Sequence, residues 1–170
     1  IAWGYNNSGQ CDVPAGVTDV VAIAAGENHS MALRSDGTVV VWGDQSNNYG
    51  LRRVPKGLTD VIAISAGRFH CLALRTDGTV VAWGYNGEGQ CNVPEGLTNV
   101  IAIAAGYAHS LALRADGTVV TWGDQSNNGV CTLPEGLADV VAIAAGDYYS
   151  LALRSDGMVM AWGPNWNGEC

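Results

Sequence analysis

The chain alternates short apolar runs with polar turns, at the spacing expected of β-strands. An apolar run over residues 20–25 has the length and composition of a strand that is covered on both faces. Two further β-rich segments, 30–34 and 38–42, flank Asp36-Gly37. An Asp-Gly pair between such segments indicates a β-hairpin, because glycine accepts a positive φ. No segment shows helical periodicity, so the sequence predicts an all-β protein.

The same pattern returns about every 40 residues. The dipeptide Trp-Gly marks the units at Trp3, Trp42, Trp83, Trp122 and Trp162. A fixed period of this size indicates a repeat architecture, and three to four strands per unit match one blade of a β-propeller. We therefore predict a single domain over residues 1–170. Its repeats are expected at about 3–41, 42–82, 83–121 and 122–161, with a partial fifth repeat at 162–170.

The unit VVAIAAGxxHSLALRSDGTVVAWGxNxxGQ resembles the repeat of the RCC1 superfamily. In its short loops and its period it is especially similar to bacterial members that include the secreted β-lactamase-inhibitory propellers. The resemblance covers essentially the whole chain and implies an RCC1-like propeller. Function is less determined, because propellers host many unrelated activities. A secreted or cell-surface location is favoured by the resemblance alone.

The number of repeats raises the question of how the ring closes. Members of the family typically close with seven blades, whereas this sequence holds four repeats and a fifth Trp-Gly segment. Three arrangements remain open: a compact four-bladed ring, two chains that share one larger ring, or a piece of a longer array. A bare half-ring would expose edge faces that act as templates for aggregation. We therefore favour a homodimer that closes an eight-bladed ring.

The charge of the chain bears on its partners. Sixteen acidic residues against eight basic ones give a net charge of −8, and Lys56 is the only lysine. Proteins that bind nucleic acids neutralise phosphates with clustered Lys and Arg, so we expect no nucleic-acid partner. The acidic balance favours a basic or neutral protein instead. No apolar stretch approaches the roughly 20 residues that cross a bilayer, and we expect no membrane partner.

The residues that could carry chemistry have simpler interpretations. His29, His70 and His109 share one repeat position, which Tyr149 takes in the fourth unit. Three imidazoles can form an open zinc site. The replacement by Tyr149 and the absence of a nearby carboxylate that recurs with the repeat favour half-buried histidines with backbone partners instead. No nucleophile elbow or phosphate-binding loop is present. We predict no metal, no cofactor and no enzymatic activity.

The remaining recurrent polar residues are interpreted as structural. The Asp of each Asp-Gly turn is expected to bond its own backbone, and the Arg two residues before it to form a hairpin ion pair. The five cysteines include no CxxC pair. This favours free or buried thiols over disulfides, with an interchain bridge at Cys170 as an alternative.

The positions that differ between repeats indicate a binding surface. The residues that follow each Ala-Gly step vary, although the framework around them is nearly constant, and loops freed from the framework commonly carry binding residues. Aromatic residues and Arg dominate protein interfaces. The resembling inhibitory propellers also use loop aromatics of this kind. The leading hypothesis is therefore a non-catalytic module that binds another protein through Glu27, Asn28, Arg68, Phe69, Tyr107, Asp147, Tyr148 and Tyr149.

Two alternatives stay open. Aromatic residues in the loops after Trp-Gly lie among Asn, Gln and Ser, a combination that can stack on a sugar ring and bond its hydroxyls. This lectin-like site would use Tyr5, Tyr49, Tyr85 and Trp166. The second alternative is a self-associating structural repeat fragment without a ligand.

Overall fold

The computed structural model describes residues 1–44, 49–124 and 129–164. Within these ranges the chain forms twelve strands in four antiparallel sheets of three strands each. Each sheet is one blade. Blade 1 contains β1 (Val20–Ala25), β2 (His29–Arg34) and β3 (Val39–Gly43). Blade 2 contains β4 (Val61–Ala66), β5 (His70–Arg75) and β6 (Val80–Gly84). Blade 3 contains β7 (Val100–Ala105), β8 (His109–Arg114) and β9 (Val119–Gly123). Blade 4 contains β10 (Val140–Ala145), β11 (Ser150–Arg154) and β12 (Val159–Trp162).

Each blade is a simple meander in which the middle strand pairs with both neighbours. In blade 1, Ala24 lies opposite Met31, and Ser30 lies opposite Trp42. The register shifts after the first residue of every first strand, and this irregularity recurs in all four blades. The prediction of an all-β, RCC1-like propeller built from four repeats is confirmed.

The hairpin turns have the predicted chemistry. The Asp36 Oδ1 atom accepts hydrogen bonds from the Thr38 backbone N–H at 2.9 Å and from the Thr38 hydroxyl at 2.6 Å. Blades 2 and 3 repeat both bonds, and blade 4 keeps the backbone one. The arginines differ from blade to blade. Arg154 forms the expected pair with Asp156 at 3.1 Å, whereas Arg34 donates to the Gly16 carbonyl.

A left-handed residue precedes the first strand of every blade, a feature that the repeat pattern by itself did not predict. These residues have φ between 54° and 58°, a conformation that Asp and Asn tolerate best after glycine. They are Asp19, Asp60, Asn99 and Asp139. The Asp19 carbonyl accepts the Ser35 N–H at 2.8 Å, so the turn ties the loop before the blade to its hairpin.

Neighbouring blades bury their apolar faces against each other. Met31 and Leu33 point from β2 towards blade 2, where they meet Cys71 and Ala73 of β5. On the opposite face of blade 2, Leu72 and the other inward residues pack against blade 3 in the same way. A third cluster joins blades 3 and 4. Strand alternation therefore gives every blade one face for the preceding blade and one for the following blade.

Adjacent backbones approach closely at the glycine that follows the first strand of blades 1, 2 and 3. A Cβ atom placed on Gly67 would lie 2.5 Å from the Gly106 carbonyl oxygen and 2.3 Å from the His70 ring. Gly26 and Gly106 stand in the same relation to the blades that follow them. Any side chain at these positions would push adjacent blades apart, so the Ala-Gly step is a requirement of packing.

The four blades form an open arc. β1 contacts β4, β4 contacts β7, and β7 contacts β10. Among the described strands, β10 makes no comparable contact with β1. The single chain is thus a partial ring and not the compact four-bladed ring that the repeat count allowed. The described residues include no helix that is long and apolar enough to cross a bilayer.

Candidate functional site

Five aromatic side chains from three consecutive blades lie side by side on the loops at one rim of the arc. Phe69, Tyr107 and Tyr148 stand in the turns between the first and second strands of blades 2, 3 and 4. Tyr49 and Tyr85 lie in the chain that follows β3 and β6. We refer to these five residues as the aromatic strip.

The rings of the aromatic strip touch in sequence. Tyr49 stacks on Phe69 with ring centroids 4.5 Å apart, and Tyr85 meets Tyr49 edge-on at 5.3 Å. Phe69 contacts Tyr107 at 6.4 Å, and Tyr107 stacks on Tyr148 at 4.8 Å. Aromatic pairs in these geometries stabilise each other beyond their buried area. Tyr85 and Tyr148 remain exposed while the other three rings are half-buried.

Arg68 lies in the middle of the strip. Its guanidinium carbon is 4.9 Å from the Phe69 ring centroid and 4.2 Å from that of Tyr107, both within cation–π range. Its side chain also forms an ion pair with Glu27 of the preceding blade. The Arg68 backbone N–H donates to the Gly106 carbonyl at 3.1 Å. Groups from three consecutive blades therefore contact Arg68.

Two cavities border the strip. The larger, about 400 Å³, is lined by the Ala-Gly turns of all four blades and by Glu27, Arg68 and Asp147. The smaller, about 160 Å³, lies between blades 3 and 4. Its wall combines the rings of Tyr107 and Tyr148 with the carboxylates of Glu88, Asp124 and Asp147. Aromatic rings beside carboxylates provide a favourable environment for a cationic side chain.

The structure joins parts of the two predicted sites. Tyr49 and Tyr85, predicted for a sugar site, contact Phe69 of the predicted protein-binding arc. Tyr5 is exposed, and its hydroxyl accepts a hydrogen bond from Asn7. Trp166 lies outside the described residues. Sequence spacing could not reveal the merger, because the loops after β3 and β6 meet the Ala-Gly turns only through the fold.

The remaining residues of the predicted arc have framework contacts. The Asn28 Oδ1 atom accepts a hydrogen bond from the Ser8 hydroxyl, and the Asp147 carbonyl accepts the Tyr107 N–H at 3.0 Å. Tyr149 occupies the histidine position, and its ring stands against Gly146. These three residues therefore border the aromatic strip rather than extend it.

The three histidines bond to neighbouring blades instead of meeting at one point. His70 Nε2 lies 3.0 Å from the Ser110 hydroxyl, and His109 Nε2 lies 3.0 Å from that of Ser150. His29 Nε2 lies 3.3 Å from the Cys71 sulfur. Because the Ser110 hydroxyl donates to the Gln90 carbonyl at 3.0 Å, His70 donates to it from Nε2. The expectation of half-buried histidines with backbone partners is therefore wrong: all three are fully buried, and each Nε2 atom contacts a side chain of the next blade.

Burial keeps these imidazoles neutral. It lowers the pKa of His29 and His109 to about 4, with Asp124 opposing the shift at His109. For His70, burial and then the neighbouring histidines lower the pKa to about 3. In the described part of the chain, no group of three or more His, Cys, Asp or Glu side chains is arranged to hold a metal ion.

The described cysteines are free thiols, namely Cys11, Cys71, Cys91 and Cys131. Burial raises the pKa of Cys91 and Cys131 to about 11, and it raises the pKa of Cys71 well above its usual value. Such thiols carry little thiolate at neutral pH. Cys170, suggested for an interchain bridge, lies outside the described residues.

Comparison with known families decides the relationship. The family model "Regulator of chromosome condensation (RCC1) repeat" matches residues 20–50, 61–90, 100–129 and 140–169. The chain belongs to the RCC1 repeat family. Its four matches each begin at the first strand of a blade. A search of the curated proteins finds no match.

Several solved structures resemble the chain. Yeast RCC1 (Prp20), solved with Kap60, is 29% identical with a TM-score of 0.68 over 85% of this chain and 43% of its own. The Physcomitrella patens receptor kinase CR4 ectodomain is 26% identical with a TM-score of 0.72, over 85% and 39% respectively. Saccharomyces cerevisiae Prp20p, described with its binding to Gsp1p and histones, is 27% identical with a TM-score of 0.67, over 85% and 45%. The chain therefore spans less than half the length of these proteins.

Proposed function

We propose that this RCC1 repeat protein is a non-catalytic binding module that recognises another protein through the aromatic strip and Arg68. The observation that carries the proposal is the series of contacts among five aromatic rings from three blades, two of which, Phe69 and Tyr107, also contact the Arg68 guanidinium. Tyr and Arg are enriched at the centres of protein interfaces, where rigid side chains lose little entropy on binding. RCC1-like repeats are commonly protein-binding modules, and yeast RCC1 (Prp20) has been solved bound to Kap60.

The chemistry around the strip favours a basic contact residue on the partner. The small cavity beside Tyr107 and Tyr148 is also lined by three acidic residues, Glu88, Asp124 and Asp147. A Lys or Arg of the partner would find both charge and ring faces there. The net charge of −8 would also speed association with a basic surface.

A random peptide library displayed on phage tests the proposal, because selection from it requires no defined partner. Selection on the folded chain should enrich peptides that carry Lys or Arg beside apolar residues. Their affinity, measured by fluorescence anisotropy, should fall at least about tenfold for the triple variant Arg68→Ala/Phe69→Ala/Tyr148→Ala, because such anchors contribute above 1 kcal/mol each. Tyr5→Ala is the matched control, since it removes an exposed tyrosine outside the strip.

Equal binding by the triple variant would refute the protein-binding strip. Binding on a glycan array that is lost in Trp166→Ala, with no peptide enriched, would favour the lectin-like function instead. The resemblance to β-lactamase-inhibitory propellers adds one defined candidate. Purified β-lactamases should therefore be included, with nitrocefin hydrolysis as the measurement.

A further inference from the structure

The two ends of the arc expose the halves of an interface that the interior blades bury. Ile23 of blade 1 is 79% exposed, although its counterparts Ile64, Ile103 and Ile143 are half-buried between blades. At the other end, Leu153 of blade 4 is 38% exposed, although its counterparts are at most 2% exposed. Those counterparts are Leu33, Leu74 and Leu113.

The two exposed faces are of complementary kinds. In blades 2, 3 and 4, the face that corresponds to that of Ile23 packs against the preceding blade. In blades 1, 2 and 3, the face that corresponds to that of Leu153 packs against the following blade. Blade 4 thus exposes the face on which a following blade would pack. Blade 1 exposes the face with which a blade packs on the one before it. Most framework residues match those of the three interior interfaces, although Val17 stands where Leu58, Leu97 and Leu137 stand elsewhere.

A backbone contact shows the same complementarity. The Val61 N–H donates to the Gly37 carbonyl at 3.3 Å, and this bond from a first strand to the preceding hairpin turn recurs at the next two interfaces. Val20 and Gly157 hold the corresponding positions at the two ends. A Cβ on Gly37 would lie 3.1 Å from the Asp60 backbone nitrogen, whereas one on Gly157 would meet nothing within 4 Å. The space that a neighbouring strand fills elsewhere is open at Gly157.

We propose that a second copy of this chain occupies both faces, so that blade 4 of each copy packs on blade 1 of the other. Two copies supply eight blades, the upper end of the usual range for propellers, whereas three would supply twelve. The two new interfaces are equivalent and continue the three within each chain. The assembly is therefore a closed twofold ring with no blade face left uncovered.

An altered framework position, Tyr149, also lies at the junction. In blade 2, His70 contacts Ser110 of the next blade. Tyr149 stands at the position of His70 in blade 4, and Ser30 stands at the position of Ser110 in blade 1. The Ser30 hydroxyl donates to the Gln10 carbonyl at 2.8 Å and keeps its lone pairs as acceptors. At the junction the Tyr149 phenol of one copy therefore faces Ser30 of the other.

Solution mass, with three matched Asp substitutions, tests the proposal. Light scattering at micromolar concentration should give twice the mass of 17.7 kDa. Ile23→Asp and Leu153→Asp should each raise the dimer dissociation constant about 100-fold or more, because each buries a carboxylate in an apolar interface. Both side chains are exposed in the single chain, so circular dichroism should show that both variants fold. Ile62→Asp is the control, because Ile62 is also exposed but lies in an interior blade.

Mixing the two end variants separates this interface from a symmetric one. Ile23→Asp keeps an intact blade 4 face and Leu153→Asp an intact blade 1 face, so the mixture should regain association through one interface. Three results would overturn the proposal: a wild-type monomer, open-ended polymers, or dissociation by Ile62→Asp equal to that by Ile23→Asp. An unchanged dimer dissociation constant for Leu153→Asp alone would also overturn it.

Discussion

At the residue scale, each repeat position has one physical task. The Ala-Gly glycine lets adjacent backbones approach, and the Asp of the hairpin binds Thr38 or its equivalent. The histidine links its blade to the next one through a neutral imidazole. Because the contact between blades requires an uncharged imidazole, the histidines make the stability of the fold depend on pH.

Stability should fall as the pH drops from 6.5 towards 4. The histidines have a pKa near 6.5 when unfolded and about 4, 3 and 4 when folded, so the unfolded chain binds protons first. Their contribution is fully present above pH 6.5 and is lost as the pH falls. We expect the free energy of unfolding to fall by up to about 4 kcal/mol between pH 6 and 5, because each of the three histidines contributes about 1.4 kcal/mol per pH unit.

Urea unfolding at several pH values measures this slope. His70→Gln should be less stable at pH 7 but should lose about one third of the slope. Asp36, Asp77 and Asp116 do not interfere, because their hydrogen bonds with Thr lower their pKa below the usual value of 3.8. An unchanged slope in His70→Gln would refute the assignment.

At the scale of elements, a buried relay connects the blades. The Gln90 carbonyl accepts both the Ser110 hydroxyl and the Trp122 indole N–H, and Ser110 in turn receives His70. This places the loop before blade 3, the middle strand of blade 3 and blade 2 in one network. In blade 2, Cys71 takes the serine position while Trp83 keeps its bond to the Leu51 carbonyl.

Ser110→Ala should therefore cost about 1–3 kcal/mol, because it leaves the buried His70 Nε2 atom without its partner. Cys71→Ser is the matched substitution, since it introduces the hydroxyl that blades 3 and 4 already use, and we expect it to change stability by less than about 1 kcal/mol. Chemical unfolding compares the two variants. Equal losses in both would contradict the relay.

At the scale of the whole molecule, stability depends on how many faces of a blade are covered. Blades 2 and 3 pack on both faces, whereas blades 1 and 4 pack on one face each in the single chain. In repeat proteins each unit is stabilised mainly by its nearest neighbours. The outer blades should therefore open more readily than the inner ones.

Hydrogen exchange on monomeric protein, such as the Leu153→Asp variant, should show this gradient. Amides of β5 and β8 should exchange most slowly, and those of β2 and β11 faster, because local opening follows local burial. In a closed two-chain ring the difference between β2 and β5 should largely disappear. Uniform exchange in the monomer would contradict the dependence on nearest neighbours.

The sequence alone determined the fold, because the 40-residue period, the Asp-Gly hairpins and the apolar runs are local features that recur in every repeat. It also located Phe69, Tyr107 and Tyr148 as variable loop residues, since variation within a constant framework is visible without coordinates. It did not unite them with Tyr49 and Tyr85, nor place Arg68 between two rings. Only the tertiary structure decided these contacts and the open ends of the arc, because they depend on the distances between neighbouring blades, which no local pattern specifies.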